Sequence, residues 1–421
     1  MNSFFQGCSR PRGSSRGGPP RRLRAFARCA AIESGETPLL RIAAVLLLPL
    51  ALACFGPSTA VAADRAIRTL PDPLVLASGA KVRGLEDWPA RRAEMRNLLL
   101  RDEYGDVPPP PASIHTETLD SGPLFDGAAR MEHFALSWPE AAGFRMECGL
   151  ITPTTPGPHP VIIAIDPAWE PQVRATARQV IARSYALAGL KYHDVDPDNG
   201  RRDVGIYPYY PKCPWRSLAA WAWAASRLAD YLVTRTDIDR TRMAVTGHSR
   251  CGKAALLAGA LDDRFALVAP HCSGTGGASL YRVQNAGSET LDLITRPNRF
   301  HYWFLPAFRS FAGREDSLPF DQHFLHALVA PRTLLVLQAR DDHWANPRGA
   351  WAACVATLPV YRMYHVEDRL AYSIRPGGHD TTPGDWETLM DFADVVFRRA
   401  GLHNGSVVRG EGLLKAPAGL P

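Results

Sequence analysis

Apolar and polar positions along the chain change period repeatedly, and these changes divide most of it into short strands and longer helices. Arg91–Arg101 (RRAEMRNLLLR) has its apolar residues at helical spacing until Tyr104-Gly105-Asp106 and the proline run Pro108–Pro111 stop it. Residues 129–137 and 145–152 alternate as strands joined by a glycine-containing turn. His159–Ile165 is a continuous apolar run, the pattern of a strand buried on both faces. Residues 216–235 (RSLAAWAWAASRLADYLVTR) predict a long helix, Met243–Val245 a strand, and 250–261 another helix. Phe265–Ala269, Thr333–Leu337 and Leu370–Ile374 predict further strands, and a last helix is expected over about 386–399. Strands alternating with helices imply the α/β class: a mostly parallel central sheet between two helical layers, a three-layer sandwich. The expected organisation is a leader over 1–62, one catalytic domain over 63–400 and a disordered tail over 401–421.

Composition narrows this reading. The chain has 421 residues, 46% hydrophobic and 21% charged, a globular profile. Its formal charge is +6, but residues 1–62 hold eight Arg, no Lys and two Glu, which accounts for all of it. A body of zero net charge lacks the electrostatic footprint of a nucleic-acid binder. Arg21, Arg22, Arg24, Arg28 and Arg41 precede the apolar run Ile42–Phe55, which is of signal-peptide length and too short for a bilayer. Ala60-Val61-Ala62 then supplies a small-x-small cleavage pattern. The alternative is a lipid anchor on Cys54 after Leu52-Ala53. Five cysteines follow the leader, Cys148, Cys213, Cys251, Cys272 and Cys354, and their wide spacing without C-x-x-C argues against a zinc site.

The candidate chemistry starts at Ser249. Val245-Thr246-Gly247-His248-Ser249-Arg250-Cys251-Gly252-Lys253 lies between a predicted strand and a predicted helix. A tight strand–turn–helix lifts a serine above the sheet edge and places helix N–H groups where an oxyanion would form, the nucleophile elbow of α/β-hydrolases. The pattern departs from G-x-S-x-G, since Cys251 occupies the second glycine position and Gly252 follows it. The plainer reading is a helix-capping serine. A base and an acid should follow in the order Ser, acid, His. His379, in Arg375-Pro376-Gly377-Gly378-His379-Asp380, follows a strand and precedes the last helix; His343 and His365 are less well placed. Asp341-Asp342 follows the strand Thr333–Leu337, so a carboxylate of either can reach the imidazole.

Further motifs give the chain a resemblance. Gly247-x-Ser249-Arg250-x-Gly252-Lys253 followed by Ser273-Gly274-Thr275-Gly276-Gly277 resembles the glucuronoyl esterases of carbohydrate esterase family 15. The likeness continues through Arg314-Glu315-Asp316-x-Leu318-Pro319, Asp321-Gln322-His323, Ala330-Pro331-Arg332, Asp342-His343-Trp344-Ala345-x-Pro347-x-Gly349 and Gly378-His379-Asp380, over roughly residues 80–400. The resemblance implies an α/β-hydrolase fold and a serine esterase acting on esters of 4-O-methyl-glucuronic acid, the link between xylan and lignin alcohols. By resemblance Ser249 is the nucleophile, His379 the base, and Arg250 the oxyanion stabiliser. Lys253 bonds sugar hydroxyls, Glu289 accepts from them, and Trp344 packs on the uronate ring. In many members a Glu directly before S-G-x-G-G orients the histidine. Here that position is Cys272, which carries no charge unless ionised, so the resemblance assigns the acid to Asp342, as in members with the acid after the later strand, with Asp341 the fallback.

The expected protein is a secreted or periplasmic monomer that uses neither metal nor cofactor and has no membrane partner after cleavage. The alternatives are an esterase for another acylated sugar, such as acetyl xylan, and a non-catalytic carbohydrate-binding relative. The mature chain should begin near Ala63. N-terminal sequencing of exported protein checks this, and a lipidated Cys54 would instead establish the anchor.

Overall fold

The computed structural model describes residues 69–167, 174–398, 407–417 and 420, so the leader and its cleavage site lie outside the described residues. Ten strands form one sheet in the order β1-β2-β3-β5-β4-β6-β7-β8-β9-β10. They are β1 (His115–Leu124), β2 (Ala129–Ser137), β3 (Met146–Pro153), β4 (His159–Ala164), β5 (Ala186–Leu190), β6 (Ile238–His248), β7 (Phe265–His271), β8 (Thr333–Ala339), β9 (Leu370–Arg375) and β10 (Val407–Arg409). The six central strands from β5 to β9 pair in parallel, whereas β1-β2-β3-β5 and β9-β10 pair antiparallel.

Both sheet faces are covered, which explains the unbroken apolar runs. Val161, Ile163, Val245, Val268, Leu334 and Val336 belong to one core, under the helices α3 (Ser217–Leu232), α4 (Arg250–Leu261), α5 (His323–Val329) and α6 (Pro347–Met363). Their neighbours Ile162, Ala244, Leu267 and Leu335 point the other way, into a second core under α2 (Arg174–Ala182) and α7 (Pro383–Arg398). A further helix, α1 (Trp88–Leu99), precedes β1. This is the α/β-hydrolase architecture, and its parallel strands send the loops after β6, β7, β8 and β9 to one edge.

Three elements lack a legible pattern in the sequence. β1 is exposed along nearly its whole length, so no apolar alternation marks it. β5 is five residues of Ala, Leu and Gly, weak strand formers that sit in the sheet because β3 and β4 flank them. Within the tail expected to be disordered, the described residues 407–417 are ordered. Val407–Arg409 pairs with β9, Leu413 is buried, and its carbonyl accepts from Trp351 Nε1 at 3.0 Å. A tail rich in Gly and Pro carries little local propensity, and an open sheet edge supplies its order.

Behind the loop after β7 lies a buried polar network. Helix α1 runs into a wider π-helical turn, Leu100–Tyr104, which buries Glu103 and Tyr104. Tyr281 Oη donates to Glu103 Oε1 at 2.6 Å and Gln322 Nε2 donates to the same oxygen at 2.9 Å. Tyr104 Oη donates to the Gly276 carbonyl at 2.9 Å, fastening the Ser273–Gly277 loop. Burial pushes the Glu103 carboxyl up to about 8. The folded state therefore holds a proton that the unfolded chain releases near 4.5, so this group's contribution to stability falls as pH rises between those values. The thermal midpoint should fall less over that interval in Glu103→Gln than in wild type, and calorimetry across the range checks it.

Candidate active site

Ser249 stands at the junction of β6 and α4, with φ 56° and ψ −122°. A non-glycine residue adopts this left-handed backbone at a cost of about 1–3 kcal/mol, which the surrounding structure must offset. The parallel register pairs Gly247 with Pro270 and His248 with His271, and the Ser249 N–H donates to the His271 carbonyl at 2.9 Å. Two glycines allow so tight an approach. A Cβ on Gly247 would lie 2.5 Å from the Cys251 carbonyl oxygen, and one on Gly252 would lie 2.7 Å from the Gly247 oxygen and 2.9 Å from that of His271. Gly252 thus does the spacing work that the motif's missing second glycine would do. The Arg250 N–H, at the first position of α4, has no helical carbonyl to bond and lies beside the serine.

The structure brings Ser249, His379 and Asp342 together in one relay. Ser249 Oγ lies 2.9 Å from His379 Nε2, and His379 Nδ1 lies 2.6 Å from Asp342 Oδ2. The other Asp342 oxygen accepts the Ala345 N–H at 3.0 Å. Burial alone would raise the Asp342 pKa, but hydrogen bonds from His379, the Ala345 N–H and the Cys272 thiol outweigh it and hold the carboxyl below its ordinary value. Cys272 therefore supports the acid as a neutral donor, its own thiol pushed far up by burial and by the Asp342 charge. Asp341 has a different task. It is exposed, and it clamps the histidine loop: its Oδ2 accepts from Gly377 N at 2.9 Å and its N–H donates to the Gly377 carbonyl at 3.0 Å. Arg375 braces the same loop, bonding the Asp380 carbonyl while its Nε reaches Asp385 at 2.8 and 2.9 Å.

His248 was not singled out in the sequence, yet its ring centroid lies 4.6 Å from that of His379 and 5.1 Å from that of His271. Burial lowers His248 to about 3 and His271 to about 4, so both stay neutral beside the relay. They line a cavity of about 290 Å³ behind the serine, together with Asp385 and Trp386.

The remaining candidates surround the same loops. Arg250 is half-buried, pairs with Asp198, and holds its guanidinium 5.3 Å from the Trp303 ring centroid. Trp344 is partly exposed on the turn after Asp342, and its carbonyl accepts the Glu289 N–H at 3.0 Å. Lys253 differs from the expectation of a direct sugar ligand. It is 2% exposed, and its three ammonium protons go to Ser273 O, Thr275 O and Glu289 Oε2, each at 2.6 Å. All its donors are committed, because an ammonium on the first turn of α4 reaches the carbonyls of the glycine-rich loop before it reaches solvent. Lys253 thereby fixes Glu289, which is also buried. Cys148, Cys213, Cys251, Cys272 and Cys354 are free thiols. Among the described residues no group of three or more His, Cys, Asp or Glu is placed to hold a metal ion.

Residues 141–364, more than half of the chain, match the family model described as glucuronyl esterase, fungi. The chain belongs to the glucuronyl esterase family. A relative named carbohydrate esterase MZ0003, from an unknown prokaryotic organism, is 33% identical over 388 residues, covering 77% of this chain and 89% of its own. A 4-O-methyl-glucuronoyl methylesterase of Podospora anserina is 33% identical over 315 residues, covering 72% of this chain and 62% of its own. Among solved structures, a glucuronoyl esterase from Solibacter usitatus superposes with a TM-score of 0.70 at 29% identity, covering 78% of this chain and 97% of its own. A serine-to-alanine variant of the Sporotrichum thermophile glucuronoyl esterase, in complex with methyl 4-O-methyl-β-D-glucopyranuronate, gives a TM-score of 0.65 at 28% identity, covering 79% and 88%. This glucuronyl esterase family member is accordingly a carboxylic ester hydrolase.

The relay predicts a ranking of variants. Asp342→Asn preserves shape while removing the charge that stabilises a cationic imidazole, so kcat should fall at least ~10²-fold. Cys272→Ala, which removes only a neutral donor to that carboxylate, should cost much less. Steady-state kinetics on both purified variants checks the order.

Proposed function

We propose that the protein hydrolyses esters of 4-O-methyl-glucuronic acid, as in lignin–xylan cross-links, through a Ser-His-Asp acyl-enzyme mechanism. The observation that carries this reading is the relay Ser249–His379–Asp342, at 2.9 and 2.6 Å, set beside an arginine and the N-terminus of α4. Ser249 Oγ attacks the uronate carbonyl carbon while His379 Nε2 takes its proton. Asp342 holds the Nδ1 proton in place and stabilises the imidazolium. The tetrahedral oxyanion receives the Arg250 N–H and the guanidinium charge, both pre-positioned. As the C–O bond to the alcohol breaks, His379 returns the proton to the leaving oxygen. Water, deprotonated by His379, then attacks the acyl-enzyme and releases the uronic acid and free Ser249.

Trp344, partly exposed, offers a ring face for the sugar, whereas Glu289, expected as a hydroxyl acceptor, is buried and paired with Lys253. The relatives named 4-O-methyl-glucuronoyl methylesterase and the complex with a methyl uronate support this substrate class. An intact relay disfavours a non-catalytic binding relative. Among the described residues no helix is long and apolar enough to cross a membrane. With the Arg-flanked apolar run and Ala60-Val61-Ala62, this supports an exported enzyme.

Turnover of benzyl glucuronate should exceed that of p-nitrophenyl acetate for the purified mature protein. The reverse preference would favour an acetyl-sugar esterase. Ser249→Ala should abolish turnover while leaving binding of glucuronate measurable by calorimetry, since the pocket survives loss of the nucleophile. Wild-type turnover in that variant would refute the nucleophile assignment.

A further inference from the structure

Arg250 serves the proposed mechanism only if its guanidinium is held where the oxyanion forms. A free arginine side chain samples many rotamers, a freedom that a preorganised site must remove in advance. The structure shows a dedicated tether. Asp198, 52 positions earlier in the chain, is 7% exposed on the side chain, and its Oδ2 accepts from Arg250 Nη1. Its second oxygen accepts from Trp303 Nε1 at 2.7 Å, so both ends of the carboxylate are fixed.

The backbone of Asp198 is fixed as well. Its φ of 57° is left-handed, its N–H donates to Asp196 Oδ1 at 2.7 Å, and its carbonyl accepts from Tyr302 Oη at 2.6 Å. Asp196 is in turn held by Tyr207 Oη, and its carbonyl by Trp221 Nε1 at 3.1 Å. On its other side the Arg250 guanidinium carbon lies 5.4 Å from the Phe300 centroid and 5.3 Å from that of Trp303, two rings stacked 4.1 Å apart at 6°. About a third of the Arg250 side chain stays exposed to solvent. A solvated surface ion pair contributes little to stability and needs none of these further constraints.

We infer that Asp198 is a positioning residue that, with Trp303, aims the Arg250 guanidinium at the reacting carbonyl. The inference rests on the reading of Arg250 as oxyanion stabiliser. It concerns the developing charge of any ester rather than the sugar, so it can be tested separately from the uronate substrate. Losing the aim while keeping the charge should remove part of one oxyanion contact. Since a whole contact is worth on the order of 10²–10³ in kcat, Asp198→Asn should lower kcat about 10- to 100-fold with a smaller change in KM.

A double-mutant cycle decides the matter, with kcat measured on benzyl glucuronate and on p-nitrophenyl acetate for wild type, Asp198→Asn, Arg250→Ala and the double variant. The expected result is coupling: Asp198→Asn costs almost nothing once Arg250 is gone. Additive losses, or an Asp198→Asn kcat equal to wild type, would overturn the inference. If Asp198→Asn does not fold, Trp303→Phe replaces it in the cycle, keeping a ring and removing the N–H that fixes Asp198. It should give a smaller loss, again absent in the Arg250→Ala background. A wild type active on the acetate and inert on the glucuronate ester would defeat the uronate reading, and the cycle on the acetate would still decide the role of Asp198.

Discussion

The geometry of the site hangs on the left-handed backbone of Ser249. That conformation is unfavourable for any residue with a Cβ, and it persists because the N–H of Ser249 is bonded to the β7 strand end while α4 begins immediately behind it. The parallel pairing of β6 with β7 fixes how far the two strand ends protrude, and Gly247 and Gly252 keep the space between them free of side chains. A serine so placed is partly exposed at the sheet edge, with a helix N-terminus at its back. Every other group in the site is arranged relative to that point: His379 on the loop after β9, Asp342 on the loop after β8, and Arg250 one residue along.

Around this strained turn the protein uses layers of support whose charges are already balanced. Lys253 and Glu289 form a buried pair, and the lysine's remaining protons go to backbone carbonyls of the glycine-rich loop. A buried ion pair of this kind adds little net stability, because desolvation offsets its Coulomb energy, but it enforces one geometry through its hydrogen bonds. Glu103, Tyr104, Tyr281 and Gln322 support the same loop from below. Asp341 and Arg375 do so for the histidine loop. The candidate site groups thus sit on loops, but loops pinned by polar contacts, which is how a loop acquires a fixed shape.

The position of the acid shows how one function can move between strands. Cys272 directly follows β7 and Asp342 follows β8, and the two side chains meet in a hydrogen bond. Neighbouring parallel strands deliver their loops to a common edge, so a carboxylate from either can reach Nδ1 of the histidine. Here the Cys272 thiol is a neutral donor to the Asp342 carboxylate. Two carboxylates at that spot would repel each other, and one with a thiol does not.

The sequence by itself determined the elements whose reasons are local. Continuous apolar runs marked β4 and β8 because both faces of the sheet are covered, and helical spacing marked α3 and α4. The order Ser249, Asp342, His379 was legible because each residue follows its own strand, and the family motifs made the serine specific. What depends on partners distant in sequence was not legible. β1 lies on an edge with little to bury, β5 is ordered by β3 and β4, and β10 by β9. The commitment of all three Lys253 protons and the tilted packing of the His248 ring against that of His379 also required the fold. So did the tether of Arg250 to Asp198, 52 residues away. Residue type states what a side chain can donate or accept, and periodicity states which face it occupies. Only the packed structure decides which donor meets which acceptor, since those pairings are set by loop paths that carry no period of their own.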